Sequence, residues 1–176
     1  YKDTISVKGT LTIDGTGSVI NNTGCGAVVN YPGGVVNLNG GTYTANKWYT
    51  LKNMGTMTIA NGVEVTTSNN GASSLIANGW YGNGSTDRNA TYCVNDAVLT
   101  INGGSFSGGM NTVKNDDGSK LTINDGRFTN TTDNVILNWN IAEINGGYFE
   151  SNSASVLSNG YLNNNDKDQG LMSVNG

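Results

Sequence analysis

The chain has 176 residues, with 26 Gly and 29 Asn but one Pro and no His. Its net charge is −4 and its nine Lys and Arg are scattered singly, whereas nucleic-acid-binding proteins concentrate basic side chains. The lack of His excludes a Ser-His-Asp triad and His-ligated metal sites, and no apolar run reaches the ~18 residues that a membrane-spanning helix needs.

One short phrase recurs along the chain, starting near the N-terminus. It is clearest in "LTINGGSF", "LTINDGRF" and "AEINGGYF", which begin at Leu99, Leu121 and Ala142. Apolar residues at the first and third positions, with mostly Thr between them, have the period of a half-buried strand. We predict that the third residue of each phrase, called the anchor here, points inward and stacks on the next anchor. The anchors are Ile13, Leu38, Ile59, Ile101, Ile123, Ile144 and Val174.

The residues after each anchor predict a tight turn and a second strand. Five of the seven anchors are followed by Asn, and stacked Asn side chains at a turn can hydrogen-bond from one coil to the next. A Gly follows soon after, as a turn with left-handed backbone requires. An aromatic residue stands five positions after four of the anchors and is predicted to face inward. These residues are Tyr43, Phe106, Phe128 and Phe149.

A further apolar strand follows each anchor by about 12 to 17 residues and tends to end in Asn, as in "AVVN" at 27–30 and "NVILN" at 134–138. Trp48 and Trp139 adjoin such strands and are predicted to pack at corners. One unit therefore contains about three short strands in about 21–22 residues, which is too short for a propeller blade and typical of a solenoid of parallel strands. We predict about six to seven coils.

These repeats resemble the coils of right-handed parallel β-helix proteins, a fold shared by bacterial surface adhesins, phage fibres and pectate lyases. The resemblance extends over nearly the whole chain and implies an all-β, right-handed parallel β-helix. Ile5 precedes Ile13 by the usual interval between these two kinds of strand, so residues 1–8 are expected to finish an earlier coil. We therefore expect residues 1–176 to be a single segment excised from a longer solenoid, because bare terminal coils expose open sheet edges.

Two intervals exceed the repeat and predict inserted loops at residues 79–96 and 160–170. Both follow a strand that ends in Asn, and insertions at a shared corner of a solenoid stack on one face, often the binding face. Aromatic rings stack on sugars while amides bond their hydroxyl groups, so the loops predict a carbohydrate site. The alternative is that Trp80 folds back and caps its own loop. The candidate ligand-binding residues are Trp80, Tyr81, Tyr92, Tyr161, Asn163 and Asn164.

The second loop also has oxygen donors at the alternating positions Asn164, Asp166 and Asp168, as at the start of a calcium-binding loop. The Gly comes one residue late and no distal Glu follows, so a solvated turn is the alternative to a calcium site. No other cofactor is predicted. Cys25 and Cys93 have no His partner and no CxxC spacing, which disfavours a thiol nucleophile and a zinc site, and their pairing in a disulfide is left open.

Carboxylates provide the catalytic alternative, because glycoside hydrolysis needs two of them across one bond. Asp is also favoured in turns for its local backbone hydrogen bonds. We interpret the chain as a non-catalytic segment of an extracellular, cell-surface or virion-surface fibre or adhesin that binds a glycan, with a homotrimeric fibre as one assembly. The alternative is a polysaccharide-active hydrolase or lyase. Its candidate carboxylates are Asp116, Asp117, Asp125, Asp133, Glu143 and Glu150.

Overall fold

The computed structural model of the chain describes residues 2–70, 73–79, 96–162, 167–168 and 170–176, and between 161 and 168 it describes the backbone alone. All regular structure in these ranges is β-strand, as predicted. No helix in the part of the chain described is long and apolar enough to cross a membrane.

Each coil contributes three short strands joined by turns. The first three coils contain β1 (Ile5–Val7), β2 (Thr10–Ile13), β3 (Ser18–Asn21), β4 (Val28–Asn30), β5 (Val35–Leu38), β6 (Gly41–Ala45), β7 (Leu51–Asn53), β8 (Thr56–Ile59) and β9 (Val63–Thr67). The next three contain β10 (Ile76–Asn78), β11 (Val98–Ile101), β12 (Ser105–Ser107), β13 (Val113–Asn115), β14 (Lys120–Ile123), β15 (Arg127–Asn130), β16 (Ile136–Asn138), β17 (Ile141–Ile144) and β18 (Tyr148–Ser151). After them come β19 (Leu157–Asn159), β20 (Tyr161–Leu162), β21 (Lys167–Asp168) and β22 (Leu171–Val174).

Strands at equivalent positions of successive coils pair in parallel and form three sheets. Sheet A contains β1, β4, β7, β10, β13, β16 and β19, sheet B contains β2, β5, β8, β11, β14, β17 and β22, and sheet C contains β3, β6, β9, β12, β15 and β18. The chain is a parallel β-solenoid of about six turns with about 23 residues per turn. The fold class is as predicted. The turn is slightly longer than the predicted 21–22 residues, since partners such as Ile5 and Val28, or Val113 and Ile136, are 23 residues apart in coils that have no long connection.

The anchors form one wall of the core, which confirms their predicted inward stacking. Ile101, Ile123 and Ile144 are partners in successive strands of sheet B and are at most 2% exposed. The residues between the apolar positions face outward, with Thr122 half-buried and Glu143 exposed. This alternation follows from the pleat of a strand, which turns successive side chains to opposite faces.

The predicted inward aromatic residues line sheet C. The ring centroids of Phe106 and Phe128 are 4.7 Å apart, and those of Phe128 and Phe149 are 4.9 Å apart, with nearly parallel planes. Tyr43 is 1% exposed and is separated from Phe106 by Val65 in the same row of the sheet. The inward orientation is confirmed, and the stack joins three consecutive coils through contacts that add to simple area burial.

The turn between sheets B and C carries the predicted ladder of Asn side chains, with one interruption. Ala60 occupies the ladder position of the third coil and cannot pair, so a separate hydrogen bond of 2.7 Å joins Asn39 to Asp14 in the first two coils. All these side chains except Ala60 are exposed. The exposed Asn ladder consists of Asn102, Asn124, Asn145 and Asn175, joined in that order by hydrogen bonds of 2.7, 3.0 and 2.9 Å.

Candidate functional site at the corner between sheets A and B

Both long intervals of the chain fall in the connection from sheet A to sheet B. Residues 79–96 follow β10 and precede β11, and residues 160–170 follow β19 and precede β22. Elsewhere this connection is short: β7 leads to β8 through Met54 and Gly55 alone. We call this edge of the solenoid the A–B corner. Since β10 and β19 belong to one sheet, the two intervals leave the solenoid along the same edge.

Most of the candidate ligand residues at this corner lie outside the described residues. Tyr161 begins β20, whose backbone pairs antiparallel with β21 so that Tyr161 lies opposite Asp168. Of the three proposed calcium ligands, the described backbone therefore includes only Asp168. Among the described residues, no three His, Cys, Asp or Glu side chains lie together so that they could hold a metal ion. The candidates that lie outside the described residues are Trp80, Tyr81, Tyr92, Asn163, Asn164 and Asp166.

A column of Asn side chains runs along the A–B corner, inside the solenoid. Each of these residues ends a strand of sheet A, and the Nδ2 of every one but the last donates to the Oδ1 of the Asn in the next coil at 2.7 to 2.9 Å. The first five are completely buried. Because an unpaired buried amide costs about 1–3 kcal/mol, the pairing is needed along the whole column. This buried Asn ladder consists of Asn30, Asn53, Asn78, Asn115 and Asn138, and the exposed Asn159 continues it in the last coil.

Side-chain amides of this Asn column also donate hydrogen bonds to the residues at which both long intervals rejoin sheet B. The Nδ2 of Asn53 also donates to the carbonyl oxygen of Val98, the first residue of β11, at 2.9 Å. The Nδ2 of Asn159 donates to the carbonyl oxygen of Gly170 at 2.6 Å, and that of Asn138 donates to Leu171 at 3.2 Å. The positions at which the chain rejoins sheet B are therefore held by partly buried hydrogen bonds from Asn53 and Asn138 and by an exposed one from Asn159.

Gly79, the first residue after β10, is required by its surroundings. Its φ is +89°, and a Cβ at this position would lie 2.1 Å from the Ser119 hydroxyl oxygen and 3.0 Å from the Cβ of Asp116. The backbone N–H of Gly79 donates to the carbonyl oxygen of Asn53 at 2.8 Å. A glycine is thus the residue that lets the chain pass close to the next coil as it leaves the sheet.

A charged and aromatic cluster lies on the outer side of this corner. The Nζ of Lys114 is 2.8 Å from a carboxylate oxygen of Asp116 and 3.7 Å from the ring centroid of Trp139. Trp139 is 7% exposed, so the three side chains of the cluster pack closely together at the corner. A cation held over an aromatic face and paired with a partly desolvated carboxylate is a rigid arrangement.

Lys52 lies in the same outward row of sheet A as Lys114. The two lysines are two strands apart, with Ala77 between them. Lys52 is 5% exposed, and its Nζ is 5.4 Å from the ring centroid of Tyr49. Burial lowers the pKa of Lys52 to about 8, against an opposing effect of Asp116. Burial also raises the pKa of Tyr49. The outer face of sheet A is therefore desolvated at Lys52 and Ala77, whereas Lys114 in the same row is half-buried.

Sequence reasoning missed this pair of lysines. The signal was present in "LKN" and "VKN", since the residue before a ladder Asn faces outward and the two segments are equivalent in the repeat. What the sequence did not indicate is that an outward residue of sheet A is buried. The prediction for Trp139 is confirmed, whereas that for Trp48 is wrong, because Trp48 is 45% exposed.

The six candidate carboxylates are distributed around the solenoid. Asp116 and Asp117 follow β13 at the A–B corner, where Asp116 is paired with Lys114. Glu150 lies on the outer face of sheet C and is 3.0 Å from Arg127. Of the others, Asp125 lies between sheets B and C, Asp133 lies between sheets C and A, and Glu143 lies on the outer face of sheet B. Hydrolysis needs two carboxylates that face each other across the bond. Among these six, no two carboxylates from different coils lie on the same face.

Cys25 carries a free thiol and is half-buried, and Cys93 lies outside the described residues. Burial raises the pKa of the Cys25 thiol, and the Asp3 carboxylate raises it further. A thiol with a raised pKa is a poor nucleophile at neutral pH.

Searches of protein-family models, curated proteins and solved structures found no match to the chain. The function proposed below therefore rests on the residues of the chain itself.

Proposed function

We propose that the chain is a non-catalytic solenoid segment of an extracellular or virion-surface fibre or adhesin, which binds carbohydrate at the A–B corner. The observation that carries the proposal is the common exit of residues 79–96 and 160–170 along this one edge. Three strand spacings of ~4.8 Å separate β10 from β19, so the two roots are about 14 Å apart. Loops of this length can meet across such a gap.

The chemistry of the two loops, and of the Lys114 cluster beside them, supports carbohydrate as the ligand. The loops contain Trp80, Tyr81 and Tyr161 together with Asn163 and Asn164, and sugar recognition combines flat aromatic faces with amide and carboxylate groups. Rigid elements hold a binding site more exactly than loops alone. The buried Asn ladder and the Lys114 cluster supply such a base.

Two further features favour binding over hydrolysis and favour a fibre over a compact enzyme. The six candidate carboxylates are spread over several sides of the solenoid, so no two of them from separate coils share a face on which they could act on one glycosidic bond. A stack of similar coils is also an extended and regular element, in which each coil contacts its neighbours alone. Such an element can present a site at a distance from the surface that carries it.

A glycan array tests the proposal with three forms of the chain. The unaltered chain is expected to bind some oligosaccharide weakly, and Trp80→Ala combined with Tyr81→Ala is expected to abolish that binding. Trp48→Ala is the matched control, because Trp48 is an exposed tryptophan in a turn between sheets C and A. It should leave binding unchanged. Melting temperatures must remain similar for all three forms.

Two outcomes would contradict the proposal: no binding by the unaltered chain, or equal binding by the Trp80→Ala/Tyr81→Ala form. A polysaccharide degradation assay examines the enzyme alternative, with no release of reducing or unsaturated ends expected. The homotrimeric assembly belongs to the same proposal, and sedimentation velocity measures it directly.

A further inference from the structure

We infer that Asn61 is a site of spontaneous modification, at which the side chain closes on the following backbone nitrogen and loses ammonia. The site lies in the turn of the third coil between sheets B and C, at the interruption of the exposed Asn ladder. Its exposure, its hydrogen bonds and the turn sequence two coils later support this inference.

The turn of the third coil is out of phase with the other turns. Ala60 occupies the ladder position, and Asn61 stands one residue later, where neither neighbouring ladder residue reaches it. Asn61 and Gly62 are both exposed. The backbone N–H of Gly62 points at the Oδ1 of Asn61, with a nitrogen-to-oxygen distance of 3.0 Å. The nucleophilic nitrogen is thus beside the amide group that it would attack.

Gly62 also leaves the approach open. Its φ is +91°, and a Cβ at this position would meet nothing within 4 Å. A glycine has no side chain that hinders attack by its own nitrogen, and its backbone can reach the conformations that ring closure needs. Asn is among the thermally labile residue types, and this turn combines that lability with freedom of the following residue.

The chemistry requires water alone as co-reactant. The backbone nitrogen of Gly62 forms a bond to the Cγ of Asn61, the bond from Cγ to Nδ2 breaks, and ammonia leaves with the proton of the Gly62 amide. The product is a five-membered succinimide. Water then adds to one of its two carbonyl carbons and opens the ring, which gives Asp or isoaspartate. No electron transfer is involved.

The exposed Asn ladder protects the same dipeptide elsewhere. Asn145 also precedes a glycine and is also exposed, but its Nδ2 donates to Asn124 at 3.0 Å and its Oδ1 accepts from Asn175 at 2.9 Å. Ring closure at Asn145 would break both hydrogen bonds and turn the side chain away from its neighbours. Both asparagines are exposed, so they differ in their hydrogen bonds and in the backbone of the glycine that follows, since Gly62 has a positive φ and Gly146 does not.

The turn two coils later shows that this position accepts the Asp product. Asp125 occupies the position of Asn61 two coils later. Ile59, Ile101 and Ile123 are partners in sheet B, and each is followed by a three-residue turn. The Oδ1 of Asp125 accepts a hydrogen bond from the N–H of Gly126 at 2.8 Å, as that of Asn61 does from Gly62. Conversion of Asn61 to Asp is therefore expected to leave the fold intact.

The experiment compares deamidation rates within the folded chain. The protein is incubated at mildly alkaline pH, and peptide mass spectrometry follows conversion at each Asn-Gly pair. Asn61 is expected to convert several-fold faster than Asn145 in the folded chain and at a similar rate in denaturant. The variant Asn61→Asp should keep the melting temperature of the unaltered chain.

A phase-shifted variant provides the matched control. Ala60→Asn combined with Asn61→Gly keeps an Asn-Gly pair in this turn but moves the Asn into the ladder position, between Asn39 and Asn102. Its conversion is expected to fall to the rate of Asn145. Equal rates at Asn61 and Asn145 in the folded chain would overturn the inference. So would a phase-shifted variant that reacts as fast as the original, or a rate difference that persists in denaturant.

Discussion

The Nδ2 of Asn53 donates a 2.9 Å hydrogen bond to the carbonyl oxygen of Val98, which follows it by 45 residues in the chain. Val98 is the first residue of β11, and the same Nδ2 donates to the Oδ1 of Asn78 at 2.7 Å, the last residue of β10. One buried amide thus joins the two strands that flank residues 79–96. The candidate binding corner is tied to the core at both ends of its longest loop.

The buried Asn ladder should contribute far more to stability than the exposed one. Asn78→Ala removes the donor to Asn115 and to the Lys120 carbonyl, and removes the acceptor used by Asn53. Because buried groups left unpaired cost about 1–3 kcal/mol each, we expect the free energy of unfolding to fall by about 2–4 kcal/mol. Chemical denaturation measures it.

Asn124→Ala is the control for this prediction, since Asn124 makes the same two amide hydrogen bonds in the exposed ladder. Water can replace both partners there, so the expected loss is below about 1 kcal/mol. Equal losses for the two variants would show that burial of the ladder has no energetic weight.

The N-terminal end of the buried ladder should accept one more amide. The Oδ1 of Asn30 is buried without a hydrogen-bond partner, and the residue at its position in the preceding coil is Val7. In Val7→Asn the new side-chain amide can donate to this oxygen, in the same direction as the other hydrogen bonds of the ladder. Val7→Asp has the same shape but sets a carboxylate against the oxygen. We expect the Asn variant to be more stable by about 2–3 kcal/mol.

Thermal and chemical denaturation of the two Val7 variants test this difference. Loss of the Val7 side chain from the core is common to both, so it cancels in the comparison. Equal stability of the two variants would mean that the Oδ1 of Asn30 obtains a partner in solution, and that the ladder does not extend to the first coil.

The anchor column should tolerate no charge. Ile123 is completely buried, so Ile123→Asp places an unpaired carboxylate in the core. The free energy of unfolding should fall by several kcal/mol, and the largest such loss would leave the chain unfolded. Thr122→Asp changes the adjacent residue on the outer face and should cost less than about 1 kcal/mol. Circular dichroism and urea unfolding distinguish the two variants. Similar losses would contradict the inward register of the strand.

Lys52 should make stability depend on alkaline pH. Its folded pKa of about 8 is below the value of about 10.4 in an unfolded chain. Below pH 8 both states are protonated and the folded chain bears the full cost of a buried cation. As the pH rises from about 8 to about 10, the folded chain releases the proton first, so the free energy of unfolding increases, by at most about 3 kcal/mol.

Lys52→Met should remove this increase, and the difference between its profile and that of the unaltered chain isolates Lys52 from other groups that titrate in the window. Lys114→Met is the control on the same face, where the side chain is 21% exposed, and it should retain the increase. Unfolding free energies at pH values from neutral to about 10 test both expectations. A flat profile for the unaltered chain would mean that water reaches the Lys52 ammonium group.

The inside of the solenoid was predictable residue by residue. The two-residue period of each strand separates inward from outward positions, which is why Ile101 and Ile123 were assigned to the core and Phe106 and Phe128 to an inward column. These assignments depend on local geometry alone. The exposed ladder was predictable for the same reason, since Asn124 and Asn145 recur at one turn position. The break at Ala60 was visible in the same alignment.

The outside was not predictable from the repeat, because exposure there depends on which segments approach the surface. Lys52 and Thr122 are both outward residues of a strand, yet Lys52 is 5% exposed and Thr122 is half-buried. Glu143 and Glu150 lie on adjacent strands of one coil, and their sheets direct them to different faces. A period along the chain contains no information on the angle between sheets.

The sequence by itself determined the coil, its three strands, its inward columns and the places where the repeat is exceeded, because all of these follow from local strand and turn chemistry. The tertiary structure alone decided which of two recurring Asn columns is buried. Asn78 and Asn124 each recur in equivalent positions of successive coils, but Asn78 ends a strand at a corner that turns the side chain inward, whereas Asn124 is exposed. The closure of the coil sets that direction, and closure is a property of the stacked sheets.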